Sequence, residues 1–330
     1  MSLRYWGNLA VHDVFSNREY HGCGPMDTVC DKLVYSAFRN SNTPSALSVY
    51  DFATQQTVYS DTLVLDQQII RASAVSRCAY YAAAGGIWAL DLHALTVRQV
   101  LPVNGPFYVT HDSNSKMVVL SGDILHVFSV NSDGSLTSIG CVPATLNPCF
   151  WSAGLTLSED GRFVACASGQ YQSEVSVTDL ITGISIGFNF VESPGGVYSP
   201  VVTHLLGSRH VCVALGGDYA SGCVYLLSVD LGSGSYTVID TLTGMGSYVY
   251  SVAVSADRRY LLAAGYHTVR IYDLTTCRVV WAIPHEEMNS GVVTNALFSD
   301  DMSGVLCAFS GRGNARLTNF SATAKQLSIC

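Results

Sequence analysis

Residues Ser251–Leu274 read SVAVSADRRYLLAAGYHTVRIYDL. Three apolar runs, each four to six residues long, are separated by turn residues, and the last ends on aromatic–Asp–Leu. Runs this short, rich in Val, Leu, Ile, Tyr and Ala and bounded by polar residues and Gly, fit strands. No helix-length window holds a sustained i, i+3, i+4, i+7 pattern. The stretch reads as three antiparallel strands joined by tight turns.

The same order recurs along the whole chain. Comparable units lie at MDTVCDKLVYSAF…SALSVYDF, IIRASAVSRCAYYAAAGGIWALDL and FYVTHDSNSKMVVLSGDILHVFSV. Others lie at AGLTLSEDGRFVACASG…EVSVTDL, VVTHLLGSRHVCVALGG…CVYLLSVDL and VTNALFSDDMSGVLCAFSGRGNARLTNF. The residue ending the third run is Asp51, Asp91, Asp179, Asp230, Asp273 or Asn319, and the third unit substitutes Ser129–Asn131. Single steps run from 40 to 51 residues, and the 88 between Asp91 and Asp179 span two units. That period is close to the roughly 40–45 residues of a four-stranded propeller blade. Small residues after the second run, such as Ala82-Ala83-Ala84 and Ala263-Ala264-Gly265, suit a wedge tapering toward an axis.

On these residues the chain resembles the WD-repeat family of seven-bladed β-propellers. Tyr50-Asp51, Thr178-Asp179-Leu180 and Tyr272-Asp273-Leu274 stand where that family carries Trp-Asp. Asp160–Gly183, DGRFVACASGQYQSEVSVTDLITG, also resembles the YVTN-type propellers. The family's Gly-His dipeptide is missing, and Gly265-Tyr266-His267-Thr268 lacks the Asp of its hydrogen-bond tetrad. The resemblance implies an all-β fold: residues 1–330 as one propeller of seven four-stranded antiparallel blades. It also implies closure of the last blade by the N-terminal segment, here Leu3–Phe15, which echoes Val269–Trp281. Ser321–Cys330 is the rival closing strand.

The composition narrows the function classes. The chain has 330 residues, 48% hydrophobic and 13% charged, with a mean hydropathy of +0.28. No window approaches the roughly 20 apolar residues of a spanning helix, so no membrane span is expected. The N-terminal residues lack the continuous apolar stretch of a secretory signal. Net charge is −8, with only three lysines (Lys32, Lys116, Lys325) and no basic run. That pattern argues against direct nucleic-acid binding. Eleven cysteines form no C-x2-C pair, and Cys166, Cys212 and Cys307 sit inside apolar runs. They read as buried thiols at matching strand positions in a reducing compartment, cytoplasmic or nuclear.

Motifs of chemistry are sparse. His285-Glu286-Glu287-Met288 lacks the second His of a zincin, and Pro284 argues for a loop. His21-Gly22-Cys23 with Cys30 offers soft ligands, but ordinary loop and core cysteines explain it more simply. Gly311-Arg312-Gly313 is too short to cradle phosphate. No metal, cofactor or catalytic residue is expected. The minority reading is a propeller hydrolase or lactonase whose carboxylates and histidines, such as His111, Asp112, His204 and His210, converge from different blades.

One constellation stands out. The segments entering successive first strands carry Phe107-Tyr108, Phe150-Trp151, Tyr198, and Tyr248 with Tyr250. Arg71 enters the second unit's first strand and is expected at a similar height. Singly, each ring reads as a cap on the core. Together with an Arg they describe a peptide-docking rim. The sequence thus predicts a non-catalytic interaction scaffold that takes a peptide or loop of a protein partner on that rim.

Overall fold

The structure, a computed structural model, describes residues 12–13, 22–29, 31–38, 46–54, 56–62, 65–83, 85–102, 107–111, 115–145, 154–158, 160–167, 169–170, 174–192, 196–203, 211–217, 222–255, 257–266, 268–283, 292–298, 304–310 and 315–319. Among them there are strands and turns and no helix. After β1 (His12–Asp13) come β2 (Gly22–Val29), β3 (Lys32–Phe38), β4 (Ala46–Asp51) and β5 (Gln56–Thr62). Next are β6 (Leu65–Ser73), β7 (Cys78–Ala83), β8 (Gly86–Asp91) and β9 (Val97–Pro102). The next group is β10 (Phe107–His111), β11 (Lys116–Ser121), β12 (Ile124–Val130) and β13 (Leu136–Pro143). It is followed by β14 (Gly154–Leu157), β15 (Phe163–Ala167), the short β16 (Gly169–Gln170), β17 (Glu174–Asp179) and β18 (Ser185–Asn189). Then come β19 (Gly196–Thr203), β20 (Val211–Gly217), β21 (Val224–Asp230) and β22 (Ser235–Leu242). The chain continues through β23 (Val249–Val254), β24 (Tyr260–Gly265), β25 (Thr268–Asp273) and β26 (Arg278–Ala282). It ends with β27 (Val292–Phe298), β28 (Gly304–Ser310) and β29 (Ala315–Asn319).

Within each group the strands pair antiparallel in chain order, as a meander. β16 leaves its group to pair with β19. The largest sheet consists of two halves, β2–β5 and β27-β28-β29-β1, joined only by the single bridge Gly22↔Ser310. In the second half β1 supplies the outer strand, with His12 opposite Leu317 and Asp13 opposite Arg316. The first strands touch consecutively, β2 to β6, β10, β14, β19, β23 and β27, and β27 returns to β2. Side chains bond some of these neighbours together. Asp27 accepts from the Ala72 amide at 2.8 Å, and Ser251 Oγ accepts from the Ala296 amide at 3.1 Å. The arrangement is propeller-like.

The core is a series of clusters, each lying between neighbouring sheets. Along β7, Ala79, Tyr81 and Ala83 join a cluster with Val34, Leu47 and Val49 of the preceding sheet. The alternate residues Cys78, Tyr80 and Ala82 join one with Met117, Val119 and Phe128 of the following sheet. β24 divides in the same way, with Leu261 and Ala263 on one side and Leu262 and Ala264 on the other. A strand buried on both faces reads as a continuous apolar run, which is why these second strands stood out in the sequence.

The recurrent aspartate has a structural task. Asp51, Asp91, Asp179, Asp230 and Asp273 each end a third strand, and Oδ1 of each accepts two backbone amides of the following turn. For Asp273 these are Thr275 at 2.8 Å and Thr276 at 3.3 Å. Four residues after the aspartate the backbone turns left-handed, at Leu95, Gly183, Gly234 and Cys277. Three of the carboxylates also hold a cation at or just before the start of the second strand: Lys32–Asp51, Arg162–Asp179 and Arg259–Asp273. In the third group the role moves two residues on. There Asn131 bonds Ser135 and Thr137, and Asp133 accepts the Ser135 amide.

The thiols are placed with one correction. Cys166, Cys212 and Cys307 are all buried thiols. Cys166 lies opposite Ser176 and Cys307 opposite Arg316, each pairing three residues before the strand-ending Asp179 or Asn319. Cys212 lies opposite Ser228, only two before Asp230, so it is one position out of phase and its side chain belongs to the other face. Burial pushes the Cys166 and Cys307 thiols up to about 12. Brief alkylation of the native protein should therefore modify exposed Cys141 and spare all three, read by peptide mass mapping.

The aspartates make stability depend on acid. The Lys32 bond lowers the Asp51 carboxyl, and the Ala94 amide lowers that of Asp91. At Asp179 and Asp273 burial pushes upward, but the arginine and turn amides outweigh it and the net shift is down. A folded-state value below the unfolded one stabilises above about pH 4 and is lost as pH falls through the folded value. Asp273→Ala should cost about 2 kcal/mol at pH 7 by denaturant titration, since it strands turn amides. The gap from wild type should narrow near pH 3. An unchanged gap across that range would remove the carboxylate from the account.

Candidate binding rim

The aromatic residues meet the first-strand ring at different places. Phe107 begins β10 opposite Ser121, with Tyr108 opposite Leu120. Tyr198 lies near the start of β19, opposite Gly216, beside a register shift before Val201. Tyr248 precedes β23, and Tyr250 is the residue skipped by the register between Val249 and Ser251. Similar shifts occur early in β2, β6 and β27. A bulge at the entrance of a first strand bends it and re-aims a side chain. Phe150 and Trp151 lie outside the described residues, as do His285–Met288, Gly311–Gly313, Ser321–Cys330 and all of Leu3–Phe15 except His12 and Asp13.

Arg71 does not join them. It pairs with Tyr80, two rungs from the Ser73–Cys78 end of its hairpin, whereas Phe107 starts its hairpin at the other end. The equal height expected from sequence assumed one entry length for every first strand. β6 is nine residues long and carries a register shift between Leu65 and Ile70, which sets Arg71 deeper. Its guanidinium donates to the Ile70 carbonyl at 2.9 Å.

The best-defined part of the rim is tyrosine-rich. The Tyr248 and Tyr250 rings stack, with centroids 5.6 Å apart and planes at 18°. Tyr266, in the turn between β24 and β25, is 42% exposed, and its amide donates to the Tyr248 carbonyl at 3.2 Å. Partial burial raises the Tyr250 phenol, and the nearby Tyr248 and Tyr266 phenols raise it further. Three phenol groups are thus gathered at one end of one sheet. Tyr266 lies in the Gly265–Thr268 turn, outside the first-strand entrances where the sequence pattern places the aromatic residues. An aromatic residue in a tight hairpin turn was the available signal.

Gly265 makes the cluster possible. A Cβ there would stand 1.9 Å from the Tyr248 carbonyl oxygen, a backbone atom that cannot swing aside. Only glycine admits so close an approach.

The strand-ending aspartates offer little competing chemistry. They are committed to turn amides, and three of them also to cations. Among the described residues, no group of three His, Cys, Asp or Glu is placed to hold a metal ion. No described helix is long and apolar enough to cross a membrane.

With the geometry in place, the chain can be set beside known proteins. A chain in a solved structure described as the crystal structure of a mitotic checkpoint complex is similar to it, with a TM-score of 0.65. The identity is 13%, and the match covers 94% of this chain and 90% of that one. The fold is all-β and propeller-like. At that identity the likeness concerns the fold alone. No family model and no curated protein matches.

Gly265→Ala should destabilise by about 1–3 kcal/mol through overpacking. The loss should appear as a lower melting temperature, together with changed near-UV dichroism from displaced tyrosines. A variant as stable as wild type would show that Tyr248 and Gly265 are not in contact.

Proposed function

We propose that the chain is a single seven-bladed propeller, closed by its N-terminal strand and acting as a non-catalytic interaction scaffold. A peptide or loop of a protein partner docks across the rim at the first-strand entrances. Phe107, Tyr108, Phe150, Trp151, Tyr198, Tyr248 and Tyr250 belong to the surface, and Tyr266 joins them. Arg71 serves the reading as a deeper contact below the rim. The ring of first-strand contacts and the β1–β29 pairing support the closure.

The observation that carries the docking reading is the Tyr248–Tyr250–Tyr266 cluster. Tyr248 and Tyr250 are half-buried and Tyr266 is exposed, so the rings are not consumed by the core. Rigid aromatic side chains with a polar tip supply contact area at low entropic cost, and tyrosine is enriched among interface hot spots. The net charge of −8 favours a neutral or basic partner. The similar chain was solved within a mitotic checkpoint complex, and a propeller held in a complex fits a partner-binding role. Working in the cytoplasm or nucleus would keep the buried thiols reduced.

The test is panning of a phage-displayed random peptide library against the folded protein. Enriched peptides should bind Tyr250→Ala about thirtyfold more weakly, a loss of about 2 kcal/mol typical of a hot spot. Trp151→Ala should weaken the same peptides. Melting temperatures should shift little for both. Strong destabilisation without selective loss of binding, or peptides indifferent to both substitutions, would overturn the docking surface.

A further inference from the structure

We propose that β13 is a self-association edge, on which a second copy of this chain pairs its own β13 antiparallel. Each group ends in an outer strand with one free edge among the described strands. Such an edge exposes unpaired amides and carbonyls, and proteins protect it with charge, shortness or cover. β5 carries Asp61, β9 Arg98, β22 Asp240, β26 Arg278, and β1 is two residues long. β18 is uncharged, but it has only five residues and Thr145 of the neighbouring group lies against it. The Thr145 hydroxyl stands 3.1 Å from that of Ser185, and its backbone and side chain crowd Gly187.

Among the described residues β13 lacks charge, shortness and cover, and its one edge proline, Pro143, stands at the last position. Its eight residues, LTSIGCVP, include no charge, and the five from Thr137 to Cys141 are all exposed. A Cβ at Gly140 would meet nothing within 4 Å, so a second backbone has room to approach. Ile139 is the residue skipped by the register between β12 and β13. Of its counterparts in other outer strands, Val58, Val100 and Val280 are packed against core clusters, while Ile239 of β22 is 49% exposed but sits beside the charged Asp240. Ile139 is 60% exposed. An exposed β-branched side chain beside a free edge is what cross-strand pairing buries.

The occupant follows from symmetry and charge. A two-fold axis sets each strand antiparallel to its copy, so any charge on the edge recurs on the facing strand. For β5, β9, β22 and β26 that operation brings like charges close together. For β13 it sets only Leu, Thr, Ser, Ile, Gly, Cys, Val and Pro against one another. A single strand pair is a small interface, so the dimer is weak, and screening of the −8 charge by salt strengthens it.

Sedimentation of the full chain across a concentration series, at low and high salt, tests the idea. The expected result is a monomer–dimer equilibrium that Ile139→Lys weakens by about tenfold or more. Ile181→Lys, at an isoleucine 73% exposed in a turn, should leave it unchanged. Amide exchange should show residues 136–143 slowing as protein concentration rises. A monomer at every concentration and salt overturns the proposal. So does a dimer that persists in Ile139→Lys with no slowing in 136–143.

Discussion

A four-stranded sheet with two apolar faces cannot stand alone in water. It must be covered on both sides, and here the cover is the next sheet of the same kind. Alternate residues of β7, β15 and β24 enter different inter-sheet clusters, so each sheet is held by two neighbours. A chain of sheets built this way has two uncovered ends unless it closes. The contacts from β27 back to β2 bring the first and last groups together, and β1 pairs with β29 as an outer strand. The low charge content and high apolar content follow from the same constraint, because a large share of each sheet is interior.

The turns answer a second demand. A sheet buried on both faces has its polar chemistry at its ends, where backbone amides must find acceptors. One carboxylate per turn does most of this at five positions, and at four of them a left-handed residue four places later closes the loop. The paired hairpins Ser158–Phe163 and Ser255–Tyr260 repeat a second device in detail. In each, the serine hydroxyl donates to an aspartate and accepts the aromatic residue's amide, while the arginine lies over the ring. These acids and arginines look like candidate chemistry in a linear sequence. In the fold they are fasteners.

Surface left over from these tasks is where function can reside. The tyrosine cluster lies at the first-strand entrances, where bulges release side chains from the strict alternation of a sheet. The outer edges lie at the periphery and differ from one another chiefly in charge. A scaffold that docks a peptide on its rim and a copy of itself on one edge would use two surfaces that do not compete.

The repeat was legible because its signals are local. Doubly buried second strands such as Cys78–Ala83 are unbroken apolar runs, and the turn-capping aspartate recurs at a fixed place in five of the units. Position within the ring was not local. Arg71 seemed level with the aromatic residues until the length of β6 and its register shift placed it near the other end. Cys212 seemed equivalent to Cys166 and Cys307, yet one rung separates them and a sheet reverses faces at every rung. Tyr266 acquired its meaning only when a hairpin brought it beside Tyr248 and Tyr250. Sequence alone determined the strands, the turns and their repetition, because period and turn chemistry act between near neighbours along the chain. The tertiary structure decided height, face and company, because these depend on register, and a single bulge changes register without leaving a mark on composition.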